Sequence, residues 1–190
     1  IKDTKLSSGI LVAKDFDSKN NPAIRHKEWV KKLDGIWGFA IWDSKVNELI
    51  LCRDPMGVKP LIRTIVGDSL LVASELKAFA AHTDYMPKFD YNALNLRLAY
   101  EYPLDETTLF EGVHSVRPGT IEIWKLKEEC AKIEEVHHWV DDTSDNVNQS
   151  WLPQKDAGPL LESLTQSVAD RLMSDVPLGI VLSGGLDSAM

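Results

Sequence analysis

The chain has 190 residues, 44% of them hydrophobic and 26% charged, which is the balance of a soluble globular protein. Its net charge of -8 argues against a nucleic-acid groove, because such a groove requires a basic face. No apolar run reaches the roughly 18 residues of a membrane span, so we expect no membrane partner. Cys52 and Cys130 have no Cys or His partner at metal-ligand spacing, so we expect reduced thiols in a cytoplasmic protein.

The first half of the chain predicts a helix followed by four strands. Apolar residues at helical spacing favour a short helix over residues 24–33. The strands are predicted over residues 36–43, 48–54, 60–66 and 69–74. We expect these strands to form a meander that a second layer buries. Ser74 is predicted to cap a helix that begins at Glu75.

The second half alternates short elements with polar connections. We predict a helix over residues 90–102, a helical turn over 108–113, and strands over 121–126 and 136–140. The polar residues 141–149 predict a mobile linker and a domain boundary. The leucines and valine of residues 156–173 form one apolar stripe, which predicts a helix that packs on a sheet.

The most informative stretch closes the chain. The apolar run from Gly179 to Leu182 predicts a short buried strand, and Ser-Gly-Gly-Leu-Asp-Ser follows it as residues 183–188. A strand that breaks at two glycines and continues as a helix gathers backbone N–H groups that suit a phosphate. Ser183 and Ser188 can add hydroxyl donors, and Asp187 can hold Mg²⁺. The alternative interpretation is an ordinary strand-turn-helix junction.

The whole string after an apolar strand resembles the pyrophosphate-binding loop of ATP pyrophosphatases. Those enzymes split ATP into AMP and pyrophosphate while they adenylate an oxygen of a carboxylate or carbonyl group. The string is not a Walker A loop, because it contains no Gly-Lys-Ser/Thr.

Three further strings resemble another family. They are residues 33–40 (Leu-Asp-Gly-Ile-Trp-Gly-Phe-Ala), 53–61 (Arg-Asp-Pro-Met-Gly-Val-Lys-Pro-Leu) and 73–78 (Ala-Ser-Glu-Leu-Lys-Ala). Taken alone, Arg-Asp before a tight turn most often forms a local surface ion pair of little energy. Together the strings look like the second half of the glutaminase domain of class II glutamine amidotransferases. That resemblance implies a sandwich of two antiparallel sheets flanked by helices.

The order of the strings is similar to that of glutamine-hydrolysing asparagine synthetases, with the hinge-like residues 105–113 between them. The resemblance implies an α+β fold, in which residues 1–140 are the C-terminal part of a glutaminase-like sandwich of the N-terminal-nucleophile type. A linker over 141–155 then precedes the start of an α/β ATP-pyrophosphatase domain over 156–190. It also implies an enzyme that adenylates aspartate with Mg-ATP and transfers ammonia from glutamine, giving asparagine, AMP and pyrophosphate.

The resemblance carries over a nucleotide site but no catalytic residue. The expected nucleotide contacts are the backbone of Leu182 and, around the pyrophosphate, Ser183, Gly184, Gly185, Asp187 and Ser188, with Asp187 also expected to bind Mg²⁺. The family's glutaminase nucleophile is an N-terminal Cys, whereas this chain starts with Ile1, and neither Cys52 nor Cys130 replaces it. We therefore expect an internal piece or a truncated relative that is inactive alone.

Two other interpretations stay open from the sequence. A chain that keeps the glutaminase sheet without its nucleophile could act as a non-catalytic interaction or regulatory module, and a homodimer is open. β-Lactam synthetases share both the residue 53–61 string and the pyrophosphate loop, so an enzyme that forms a different amide fits as well. Aspartate, glutamine and ATP are the partners that the preferred interpretation implies.

Overall fold

The computed structural model describes residues 28–127, 129–137, 139 and 152–185. The chain divides into two compact units, unit 1 being Ile1–Asp141 and unit 2 being Asp142–Met190. In the described part, none of the helices combines the length and the hydropathy that a membrane span requires.

The described residues of unit 1 form two antiparallel sheets. The strands are β1 (Gly38–Asp43), β2 (Glu48–Arg53), β3 (Ile62–Val66), β4 (Ser69–Ala73), β5 (Val113–Ser115), β6 (Thr120–Lys127) and β7 (Glu129–His137). Sheet A has the order β1-β2-β6-β7, and sheet B has the order β4-β3-β5. This mixture of helices and antiparallel sheets confirms the α+β class.

The predicted four-stranded meander is wrong, although its strands begin and end within two residues of the predicted positions. β1 and β2 pair with each other in sheet A, whereas β3 and β4 pair in sheet B. Strands β2 and β6 pair in sheet A, with Leu51 opposite Glu122, and sequence-distant strand β5 joins β3. The chain therefore changes sheets in the connection between β2 and β3, where a simple meander would turn back.

Three apolar clusters occupy the faces of the sheets. One lies on the face of sheet A that packs against the helical turn at residues 28–30, around Val30, Ile50 and Ile121. A second joins the sheets, because Leu51 and Trp124 of sheet A pack with Leu70 and Val72 of sheet B. Its buried members are Leu51, Leu61, Val116 and Trp124, and Ala40, Leu49, Leu70 and Val72 pack against them. The third covers the other face of sheet B with Phe79 and its neighbours.

Two helices of unit 1 follow the strands β3 and β4. A 3-10 helix spans Leu76–Ala81 and buries Phe79, but its N-cap is Glu75 and no side chain caps it. The predicted cap at Ser74 is therefore wrong. Helix α1 spans Tyr91–Tyr100, where the Asp90 carboxylate accepts the N–H groups of Asn92 and Ala93. It ends one residue before Glu101, whose backbone is left-handed at φ 67°.

Two segments differ from their sequence-based predictions in unit 1. Residues 108–113 are not a helical turn but a hydrogen-bonded turn, in which the Thr108 hydroxyl donates to the carbonyl of Val113 and Gly112 has φ 69°. Strand β7 begins at Glu129, well before the predicted residue 136. Its charged sequence hides the strand, yet charges are common in strands at the edge of a sheet, where β7 lies.

Unit 2 contains one described helix, α2, which spans Pro153–Arg171. It includes the predicted residues 156–171, but it buries no side chain, so the expected packing of its apolar stripe on a sheet is not observed. Leu160, Leu161 and Val168 are all more than half exposed. An apolar stripe of this kind stabilises a helix only when another surface covers it.

Candidate functional site

The connection between β2 and β3, residues 53–61, is held in shape by the guanidinium group of Arg53. Its Nε donates to the carbonyl of Lys59 at 2.8 Å, and its Nη2 donates to the carbonyl of Gly57 at 2.6 Å. Its Nη1 donates to the carbonyl of Val116 at 2.7 Å, which ties the connection to the residues that follow β5. Burial lowers the pKa of Arg53, and the neighbouring Asp54 carboxylate opposes that shift.

Asp54 satisfies the same connection from the acceptor side. It is only 1% exposed, and its two carboxylate oxygens accept the N–H groups of Val58 and Lys59, each at 3.0 Å. Its backbone carbonyl accepts the N–H groups of Gly57 and Gly119. The alternative of a weak surface ion pair does not describe these two residues, because Asp54 is buried and both side chains hydrogen-bond to the backbone of the connection.

Gly57 allows this connection to lie against the turn before β6. Its backbone is left-handed at φ 63°, and a Cβ at this position would lie 2.7 Å from Cγ of Pro118. Only glycine adopts this conformation here without either backbone strain or displacement of Pro118. Tertiary contacts therefore explain the residues Arg53, Asp54 and Gly57 of this string, and they leave Met56 and Val58 exposed on the turn.

The second string, residues 73–78, lies at the end of β4 and the start of the 3-10 helix. Glu75 and Lys77 form a 2.6 Å ion pair in which both side chains are more than half exposed. Such a pair contributes little stability.

Between the two sheets lies a buried ion network that the sequence analysis did not predict. Arg63 of β3 donates from Nε to Glu122 of β6 at 2.6 Å and from Nη2 to Glu106 at 2.8 Å. Trp124 Nε1 also donates to Glu122, and the Arg63 guanidinium lies 5.0 Å from the centre of the Trp124 ring. A signal existed, since the charged Glu122 stands among the apolar residues Ile121, Ile123 and Trp124, which are all buried.

The predicted nucleotide loop is described only as far as Gly185. Leu182, Ser183, Gly184 and Gly185 are all exposed, and Gly184 is left-handed at φ 77°. The N–H of Gly185 donates to Oγ of Ser183 at 3.3 Å, so the chain turns sharply at this point. The remaining predicted contacts, Asp187 and Ser188, lie outside the described residues.

The buried strand predicted from Gly179 to Leu182 is wrong for this structure. Residues 177–183 carry no strand hydrogen bonding, and Ile180, Val181 and Leu182 are 81%, 93% and 69% exposed. A strand exists only when a neighbouring strand accepts and donates its backbone hydrogen bonds, and the described residues of unit 2 include none. The apolar side chains of this run are therefore exposed in the structure.

The single free thiol described in unit 1 is not arranged for nucleophilic chemistry. Cys52 is fully buried in β2, and burial raises the pKa of its thiol well above the usual range. A nucleophilic cysteine requires a lowered pKa and access to substrate, so the structure supports the expectation that Cys52 does not replace the family's nucleophile.

Two family models match the chain. The model described as a glutamine amidotransferase domain matches residues 25–138, more than half of the chain, and the model described as asparagine synthase matches residues 159–190. The first match contains the whole of both sheets, and the second contains the Ser-Gly-Gly-Leu-Asp-Ser string.

Several curated proteins are similar along most of the chain. Asparagine synthetase [glutamine-hydrolyzing] 3 of Bacillus subtilis is 35% identical over 85% of this chain and 26% of its own length. Amidase chry2 of Gibberella zeae is 34% identical over 85% of this chain and 23% of its own length. A putative asparagine synthetase [glutamine-hydrolyzing] of Mycobacterium tuberculosis is 28% identical over 95% of this chain and 28% of its own length.

These relatives define what the chain is similar to and how much of them it represents. The chain spans about a quarter of the length of the curated relatives it matches. The resemblance to glutamine-hydrolysing asparagine synthetases is confirmed by the two family models in the same order and by relatives of that name. The chain belongs to the family of glutamine amidotransferase domains.

Proposed function

We propose that these residues belong to a glutamine-dependent asparagine synthetase that adenylates aspartate with Mg-ATP and aminates it with ammonia from glutamine. The observation that carries this proposal is the order of the two matched segments, a glutamine amidotransferase domain over 25–138 and an asparagine synthase segment over 159–190. The proposed two-step reaction needs one domain that releases ammonia and one that uses ATP, and both are represented in the chain. The products of the proposed reaction are asparagine, AMP and pyrophosphate.

For unit 1, the proposal is the C-terminal part of a glutaminase sandwich over residues 1–140. It is supported by the apolar cluster and the Arg63–Glu122 pair, which join the inner faces of sheets A and B. The connection at residues 53–61 would hold sheets A and B in place relative to each other while glutamine is hydrolysed. No catalytic residue is proposed within the chain, since Cys52 is buried with a raised pKa.

For unit 2, the proposal is the start of an ATP-pyrophosphatase domain over residues 156–190, after a linker over 141–155. The proposed contacts are the backbone of Leu182 and, around the pyrophosphate, Ser183, Gly184, Gly185, Asp187 and Ser188. Gly184 supports this assignment, because its left-handed backbone at φ 77° lets consecutive N–H groups converge without a Cβ in front of them. Bound Mg²⁺, with Asp187 as its proposed ligand, would neutralise charge that develops on the leaving pyrophosphate.

The test is AMP formation by the full-length native protein with Mg-ATP, aspartate and ammonia, compared between wild type and Gly184→Ala. We expect Gly184→Ala to lose AMP formation and ATP affinity, because alanine is strained at this φ and its methyl group would enter the proposed cradle.

Gly179→Ala is the matched control, since it lies in the same exposed stretch with no heavy atom near the added Cβ and no left-handed backbone. We expect it to keep wild-type activity. Equal AMP formation by both variants would remove Gly184 from the nucleotide site, and AMP formation with a carboxylate acceptor other than aspartate would replace the proposed substrate.

A further inference from the structure

Residues 101–107, named the strap here, join the end of α1 to the segment that leads into β5. None of the strap's side chains is buried, and Leu104, Glu106 and Thr107 are its only half-buried members. Glu101 and Asp105 are left-handed at φ 67° and 54°, a conformation that strains a non-glycine residue. The strap therefore contributes little burial and contains local strain.

The strap is attached to the sheets mainly through Glu106. Its carboxylate accepts from Nη2 of Arg63 at 2.8 Å, and its backbone carbonyl accepts the N–H of Ser115 in β5 at 2.7 Å. Thr107 adds an isolated bridge to His114. The Glu106 side chain is 25% exposed, so water reaches this ion pair.

Arg63 does not depend on the strap for charge compensation. Its Nε donates at 2.6 Å to Glu122, whose side chain is fully buried, and its guanidinium lies over the Trp124 ring. Two carboxylates thus share one guanidinium, and one of them sits at the solvent boundary. Removing Glu106 leaves a buried ion pair intact, whereas removing Glu122 leaves a buried cation without its main partner.

We propose that the strap is a hinged segment that opens locally by breaking the Glu106–Arg63 pair while sheets A and B stay folded. Opening exposes the Nη2 edge of Arg63 and the adjacent ring of His114, which lies opposite Arg63 in the strand register. His114 Nδ1 is buried with no hydrogen-bond partner in the described structure, and opening hydrates it. Strain at Glu101 and Asp105 is released in the same movement.

The test is native-state hydrogen exchange by NMR on the whole 190-residue chain, comparing wild type with Glu106→Gln. We expect the amides of Thr107 and Ser115 to exchange faster than those of Ile50 and Ile123 in the wild type. In Glu106→Gln we expect exchange at Thr107 and Ser115 to accelerate by about tenfold or more, because the hydrogen bond to Arg63 loses its charge, with no change at Ile50 and Ile123 of sheet A.

Glu111→Gln is the matched control, because Glu111 also forms a 2.6 Å pair with a basic residue, Lys88, but both side chains are exposed. We expect it to leave exchange in the strap unchanged. Glu122→Gln should accelerate exchange in the strands as well as in the strap. Equal acceleration at Thr107, Ser115, Ile50 and Ile123 in Glu106→Gln, or no acceleration at any of them, would overturn the proposal.

Discussion

Replacing Asp54 tests whether the connection between the two sheets is stabilised as the structure indicates. The carboxylate is 1% exposed and accepts one N–H on each oxygen, from Val58 and Lys59. In Asp54→Asn the amide nitrogen must face one of these donors, so one charge-assisted hydrogen bond is lost and a part-buried N–H loses its acceptor. We expect a loss of about 2 kcal/mol of unfolding free energy, and about 4 kcal/mol in Asp54→Ala, where both bonds are lost.

The assay is urea unfolding followed by tryptophan fluorescence, because every tryptophan except Trp151 belongs to unit 1. With a slope of about 2 kcal/mol per molar urea, the unfolding midpoint should fall by about 1 M in Asp54→Asn and about 2 M in Asp54→Ala.

Asp90→Asn is the matched control for this experiment. Asp90 also accepts two backbone N–H groups, from Asn92 and Ala93, but it caps the N-terminus of α1, where asparagine serves as well as aspartate. Its free energy of unfolding should change by only a few tenths of a kcal/mol. Equal shifts for Asp54→Asn and Asp90→Asn would refute the reasoning, since burial of the Asp54 hydrogen bonds would then have no energetic consequence.

Two further predictions concern single side chains. Gly57→Ala should lower the free energy of unfolding in urea by about 2 kcal/mol or more, because backbone strain at φ 63° adds to the contact with Pro118. Gly67→Ala, at φ 56° in open space, should lower it by only about 1 kcal/mol. Equal losses in the two variants would contradict the contact with Pro118. In a Cys130→Ser background, Cys52 should react with a disulfide reagent only on unfolding, because the folded protein buries its thiol. The free energy of unfolding should also fall as pH rises above about 8.5, because the raised pKa keeps the Cys52 thiol protonated in the folded state while it ionises in the unfolded state. Cys52→Ser should remove that part of the pH dependence, and fast reaction of the native thiol would contradict its burial.

Local sequence signals located most strands of unit 1 but not their partners. Apolar runs bounded by turn residues predicted β1 to β4 to within two residues, since both signals act over a few positions. Sheet membership is set by pairings between strands that are far apart in the chain, β2 with β6 and β3 with β5, and the bond from Arg53 to the carbonyl of Val116 spans 63 residues. No local pattern contains a contact of that length, so the meander was the natural but incorrect expectation.

The composition of two segments misled the sequence-based prediction in opposite directions. The charges around β7 concealed a strand, because an edge strand needs fewer apolar residues than a central one. The apolar run before Ser183 predicted a buried strand, but these residues are exposed and form no strand. A buried strand requires neighbouring strands, and the composition of one segment does not supply them. Motif spelling was informative where periodicity was not, and it led to the family that the comparisons confirm.

The proposed synthetase reaction can be followed on ATP itself, by phosphorus NMR of the full-length native protein with Mg²⁺, aspartate and ammonia. We expect AMP and pyrophosphate in amounts equal to the asparagine formed, with no turnover when aspartate is omitted. Formation of ADP and phosphate, or turnover that does not depend on aspartate, would contradict it.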